Sequence, residues 1–223
     1  METVHIPATR PTALGTRTAA RVLLACGMAV TPLFFVVAIA EILTRPGFDI
    51  RRHAISMLSL GDAGWVQVAN FVVTGLLALA CAAGLRLALR GGCGGTWGPV
   101  LVALFGIGLL MGAAFRPDPG LGFPPGTADT IPTTMSGHAT LHMLGGMGAL
   151  LAIVADCIVL SRRFAARGEH LWALYCFASV VGAVILVVSS MIISSLTGIL
   201  FACGYFVAFA WVSVIAWRLR AAA

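Results

Sequence analysis

The sequence contains no lysine, and it has little charge of any kind. Only 10% of its 223 residues are Asp, Glu, Lys or Arg, against about 25% in a typical soluble domain. With 60% hydrophobic residues and a mean hydropathy of +1.00, a water-soluble fold is excluded. Its fourteen basic residues are all arginine, scattered between long apolar runs, and they form no basic groove interleaved with aromatics. The net charge of +6 therefore does not imply a nucleic-acid partner. Nor do the six cysteines (Cys26, Cys81, Cys93, Cys157, Cys176 and Cys203) form a CxxC pair or a disulfide framework; they read as small buried apolar residues.

Long apolar runs are what the chain does have. A membrane-crossing helix needs roughly 20 predominantly apolar residues. Runs of that kind cover about 20–43, 65–89, 97–115, 138–160 and 171–217. The last is too long for one crossing, and "SSMIISSLTG" inside it supplies serine pairs and Gly198 for a turn, giving spans 171–188 and 198–217. The expectation is an all-α polytopic membrane protein, a six-transmembrane-helix bundle over 20–217, with short tails at 1–19 and 218–223. An Arg-rich start leading to Ala38-Ile39-Ala40 resembles a signal peptide, but the apolar run exceeds a usual signal core.

Arginine placement orients the bundle. With the N-terminus inside, Arg10, Arg17, Arg21, Arg86, Arg90, Arg162, Arg163, Arg167, Arg218 and Arg220 are cytoplasmic, and Arg45, Arg51, Arg52 and Arg116 lie outside. Ten against four follows the positive-inside rule, so both termini are expected in the cytoplasm, in a multi-pass protein of the cell (plasma) membrane.

Polarity gathers on the expected outer side. "RRHAISMLSLGDAGW" (Arg51–Trp65) reads as a short amphipathic segment, lying at the interface or dipping into the bundle mouth, with Arg52, His53, Ser56 and Ser59 toward one face, ended by Gly61 and Gly64. The second outer loop, Arg116–Gly137, has 22 residues, longer than a plain connector, and five prolines stiffen it. Phe123 gives it an apolar anchor, and a lid is expected. His53, Ser56, Asp62, Arg116, Asp118, His138 and His142 are expected to converge in an outward-facing polar pocket.

His138 and His142, at i and i+4, project from one helix face, the spacing by which a helix offers two ligands to zinc. With His53 they would make a three-histidine set with an open position, so zinc is the cofactor this set would hold. Without metal, a histidine beside Asp62 or Asp118 suits general acid–base work, with Ser56 or Ser59 as nucleophile although no GxSxG elbow surrounds either. The catalytic candidates are therefore His53, Ser56, Asp118 and His142. Arg51, Arg52, Asp62, Arg116 and Asn70 are the ligand-binding candidates, since arginine holds phosphate headgroups bidentately. Thr31-Pro32 is expected to kink the first helix, Asn70 and Thr74 to bond a neighbouring helix, and Asp156 to meet Arg162 or Arg163.

"HAISMLSLGDAGWVQVANFVVTGLL", then "FRPDPGLGFPPGT", then "LHMLGGM" resemble the bacterial membrane family called domain of unknown function 998, in order and over about residues 51–148. His53, Ser56, Gly61, Gly64, Trp65, Asn70, Phe71, Gly75, Asp118, Pro119, Pro124, Pro125, Gly126 and His142 are the matching positions; His138 is not among them. The resemblance implies a six-helix membrane fold and brings no activity with it. Such proteins often carry a charged pair after a glycine in the last helices, where "TGILFACG" has none. A fainter likeness to ceramidase-like membrane hydrolases is analogy only. Two functions stand after this reading. One is a lipid- or amphiphile-modifying enzyme, hydrolase-like and metal-assisted if zinc binds. The other is a non-catalytic protein that binds lipid or assists a transporter or other partner. Membrane lipids are the expected partners, and small-residue helix faces admit a homo-oligomer.

Overall fold

The computed structural model describes residues 13–89 and 91–222. Arg10 and Arg90, two of the expected cytoplasmic anchors, and the first twelve residues of the expected tail lie outside them. Six helices follow in order: α1 (Ala13–Thr44), α2 (Gly64–Ala88), α3 (Trp97–Ala114), α4 (Gly137–Ala166), α5 (His170–Ile192) and α6 (Thr197–Ala222). Each is long and apolar enough to cross a membrane. Helices answer the membrane's demand that backbone polar groups bond within the segment. The chain is a multi-pass membrane protein, as the apolar runs predict.

Four of the six helices, α1, α4, α5 and α6, outrun their predicted spans. α5 continues to Ile192 rather than stopping at 188, because its serines do not break it. Ser190 Oγ turns back on Val187 O at 2.6 Å, so the hydroxyl is satisfied inside the helix. The turn is confined to Ile193 and a short 3-10 segment, Ser194–Leu196.

Consecutive helices pack against one another, and α6 closes the ring on α1. Phe34 (α1), Phe71 (α2), Phe105 (α3) and Phe209 (α6) fill its centre, with Phe209 4.7 Å from Phe34 and 4.9 Å from Phe105 between ring centroids. Small residues set the closest approach. A Cβ on Gly108 of α3 would lie 2.5 Å from Gly145 O of α4, so the two helices touch backbone to backbone there. Two ends result. One carries a loop of residues 45–63 (loop 1) and one of residues 115–136 (loop 2); we call it the long-loop end. The other has only short connections.

α1 runs on through Pro32, and α6 serves the backbone beside it. Thr31 N–H donates to Ser213 Oγ at 3.2 Å, and Ser213 Oγ donates to Gly27 O at 3.0 Å. The Ser213 hydroxyl is thus inserted between a donor and an acceptor that a regular helix would join directly. Asn70 Nδ2 likewise bonds Phe34 O at 3.0 Å, joining α2 to α1, and Thr74 Oγ1 supports Asn70 Oδ1 at 3.3 Å.

Asp156 departs from expectation. It is fully buried in α4 and meets neither Arg162 nor Arg163. Arg163 instead donates to Gly91 O at 2.9 Å and Cys93 O at 2.6 Å, since it stands two turns further along and its guanidinium reaches the connection between α2 and α3.

Ser213→Ala leaves the Thr31 N–H and the Gly27 carbonyl without this bridge, at a cost of about 1–3 kcal/mol. Denaturation in mixed micelles should show that loss, with Ser179→Ala, whose hydroxyl only turns back on its own helix (2.8 Å to Tyr175 O), near neutral. Equal effects of the two substitutions would contradict the bridging role.

Candidate functional site

Loop 1 turns back into the bundle. His53, Ile55, Leu58, Ser59 and Leu60 are all buried, and Ile55–Ser59 winds one 3-10 turn. The sequence leaves two places for this amphipathic segment, at the interface or dipping into the bundle mouth, and its burial settles on the second. The structure makes it a plug, with Ser59 facing inward and its hydroxyl on Ser56 O at 2.8 Å. Non-helical backbone at this depth needs partners for its carbonyls. Arg45, at the end of α1, provides them. Nη1 donates to Leu58 O at 3.0 Å, Nη2 donates to Leu60 O, and Nη1 also meets Glu41 Oε1 at 3.2 Å. Both side chains of that ion pair are nearly buried. The start of α6 clamps the other side: Gly198 N–H donates to Arg51 O at 3.0 Å. A Cβ at Gly198 would fall 2.2 Å from Ile50 O, so only glycine admits this contact.

Loop 2 is seated on the plug. Phe123 is fully buried, 5.3 Å from Phe48 and 5.5 Å from His53 between centroids, with the Arg45 guanidinium 5.6 Å above its ring. His53 joins the two loops. Asp49 N–H donates to its Nδ1 at 2.9 Å, so Nε2 carries the proton and donates to Leu121 O at 2.9 Å. Leu121 holds a left-handed backbone, φ 55°, pinned from the other side by its own N–H on Thr130 O at 2.9 Å. Arg52 pairs with Asp129 at 2.5 Å and Arg51 with Asp49 at 2.8 Å, both at the surface. Asp118 accepts from Ser136 N at 2.8 Å, and Ser136 Oγ in turn caps α4 by accepting from Ala139 N.

Beneath the plug lies a cavity of about 310 Å³. Every helix contributes to it, among them Phe34, Phe71, Gly112, Met147, Phe201 and Phe209. Its walls are overwhelmingly apolar, and the exceptions are Ser56, His142 and Tyr205. Met143 of α4 and Met191 of α5 flank it and are 46% and 71% exposed, so the cavity reaches the side of the bundle between those helices. His142 Nδ1 donates to Phe115 O at 2.8 Å, which leaves Nε2 as the ring nitrogen free for another group.

The predicted site residues therefore separate. Ser56 and His142 reach the cavity together. His53 and Asp118 do not: both are bonded to backbone and hold the loops. Arg51 and Arg52 are engaged with carboxylates, Asn70 joins two helices, and Asp62 and Arg116 are exposed away from the cavity wall. His138 is exposed with its ring 5.5 Å from Phe115. The three histidines are not gathered, and among the described residues no group of three His, Cys, Asp or Glu could hold a metal ion. Both nitrogens of His53 are already bonded, which is why it cannot swing to the others without releasing loop 2. Sequence reasoning missed Arg45 and Tyr205. Tyr205 carried a signal: it is one of two tyrosines, and it sits mid-span rather than in an interfacial belt.

The family model for a protein of unknown function (DUF998) matches residues 28–218, nearly the whole membrane bundle. The chain belongs to the DUF998 family. The match extends well beyond the stretch that carries the resemblance in sequence, taking in α5 and α6 and hence Tyr205. Comparison with curated proteins and with solved structures gives no match, and the fainter ceramidase likeness finds no support there. In this DUF998 chain, then, function must be argued from the cavity itself.

Two loop carboxylates tie the long-loop end to pH. The hydrogen bond from Arg51 lowers Asp49 to about 2, and that from Ser136 holds Asp118 below the usual carboxylate range. A depressed folded value stabilises above the unfolded value of about 3.9 and is lost as pH falls through the folded one. Asp118→Asn should therefore melt below the parent between about pH 5 and 7, with the gap closing below about pH 4. A gap unchanged across that range would show that ionisation of Asp118 contributes nothing.

Proposed function

We propose that this protein binds a lipid, holding one apolar chain of an amphiphile in the cavity beneath the plug. The observation that carries the reading is the cavity's form: apolar walls, a flank open between α4 and α5, and polar atoms only at Ser56, His142 and Tyr205. A chain entering from the bilayer exchanges one apolar surrounding for another, so binding rests on shape and on the few polar contacts. The arginine distribution supports placing the long-loop end outside and both termini in the cytoplasm of a cell-membrane protein. Loop 1 and loop 2 then roof the site on the extracytoplasmic side.

The hydrolase reading retains one supporting observation. Ser56 and His142 share a cavity, and the tautomer fixed by Phe115 O leaves His142 Nε2 able to take a proton. No hydrogen bond joins the two side chains, and His53 and Asp118, the other catalytic candidates, serve the loops. Turnover of a bound ester that Ser56→Ala abolishes would establish this second reading. Binding without turnover leaves the first.

Gly146 offers a clean block. It lines the cavity, and a Cβ there would meet only Tyr205 Oη, at 3.5 Å. Gly146→Phe fills the space, whereas Gly148→Phe points at an exposed position with nothing nearby. Native mass spectrometry of protein released from lipid nanodiscs should show one bound amphiphile on the parent and on Gly148→Phe, and none on Gly146→Phe. Equal retention by all three contradicts the cavity as the binding site.

A further inference from the structure

We infer that the amphiphile taken into this cavity presents an uncharged hydroxyl or ester to it, held by Ser56, His142 and Tyr205. The inference rests on the lipid-binding reading and names the ligand's chemistry. Three polar groups line the cavity, and none has a side-chain hydrogen-bond partner among the described residues: Ser56 Oγ, His142 Nε2 and Tyr205 Oη. Elsewhere in the bundle the hydroxyls of Thr18, Thr44, Ser179 and Ser190 turn back on their own helices. His142 and Gly146 stand one turn apart on the same face of α4, and Tyr205 Oη points across from α6 to Gly146. The imidazole of His142 and the tyrosine hydroxyl therefore line the cavity beside the same face of α4, with Ser56 contributed by the plug. A hydroxyl both donates and accepts, and so does each hydroxyl of the protein. An ester carbonyl accepts from Tyr205 or Ser56.

Charge at that end is disfavoured by what the cavity lacks. No Asp, Glu or Arg is among its lining residues. An ion brought into such a site without a partner loses its hydration and gains nothing in return. The arginines nearest the plug are already used: Arg45 on Glu41 and two carbonyls, Arg51 on Asp49, Arg52 on Asp129. Arg116 is exposed and lies off the cavity wall. A phosphate seated among these walls would find hydroxyls but no cation. Long-chain alcohols and monoacylglycerols are the class that fits.

The test compares chains of equal length on the full-length protein in nanodiscs, read by native mass spectrometry. The probes are palmityl alcohol, 1-palmitoylglycerol, palmityl phosphate and palmityl trimethylammonium, each at the same mole fraction. The alcohol and the glycerol ester should be retained at least about tenfold over both charged chains, given the cost of burying an unpaired charge. Tyr205→Phe and Ser56→Ala should each narrow that preference several-fold while the chain still binds, and Gly146→Phe should remove every probe. Charged chains retained as well as the alcohol, yet lost in Gly146→Phe, overturn the neutral-ligand inference and leave lipid binding standing. Preference unaltered by Tyr205→Phe and by Ser56→Ala also overturns it. No probe retained, or retention indifferent to Gly146→Phe, overturns both.

Discussion

A backbone that leaves helical form inside a membrane-spanning bundle must find its hydrogen bonds in protein, because hydrocarbon offers none. In this structure one side chain meets most of that demand. Arg45 reaches from the end of α1 over two carbonyls of loop 1, an acidic partner on its own helix and the face of Phe123. Loop 1 can therefore fold inward as a plug instead of lying along the interface. The plug gives α6 a surface to abut at Gly198, gives loop 2 a floor for Phe123, and roofs the cavity. Replacing such a buried arginine strands Glu41 and both carbonyls together, a loss of the order of 3–5 kcal/mol.

Two sets of polar groups in the bundle differ in their partners. One set is spent on architecture: Ser213 beside Pro32, Asn70 on α1, His53 between the loops, Asp118 at the start of α4. The other set, Ser56, His142 and Tyr205, faces a common apolar space. The two histidines are set apart by their tautomers. A backbone donor on Nδ1 makes His53 a double-ended strut, while a backbone acceptor on Nδ1 leaves His142 with a nitrogen to offer. The same residue type is assigned opposite work by one neighbouring backbone atom.

The helices were legible because the bilayer imposes a length and a polarity that read directly off six apolar runs. Asn70 and Phe123 were legible for similarly local reasons. What sequence could not show was which polar residues would be consumed by the fold. His53, Asp118 and Arg52 have the right chemistry for a site, and each is engaged by an atom on a distant stretch of chain that no spacing rule predicts, while Arg51 is taken by Asp49 two residues before it. The i, i+4 pair His138 and His142 does share a helix face, yet the cavity takes only the second, since His138 sits at the exposed first turn. Asp156 failed as an expected ion pair because distance along α4 sends Arg163 to loop carbonyls. Tyr205 was passed over because a lone tyrosine in an apolar helix reads as packing until the opposite wall is known.

The central claim is that the cavity belongs to the bilayer and is not a water-filled vestibule. Met147 lines it and is half-buried. A nitroxide on Met147→Cys, in protein lacking the accessible Cys26, Cys93 and Cys203, reports which relaxing agents enter. The account predicts strong collision with molecular oxygen and little with a water-soluble nickel chelate, as for a label facing lipid. Strong collision with the nickel chelate would contradict it, and would make the space beneath the plug an aqueous pocket.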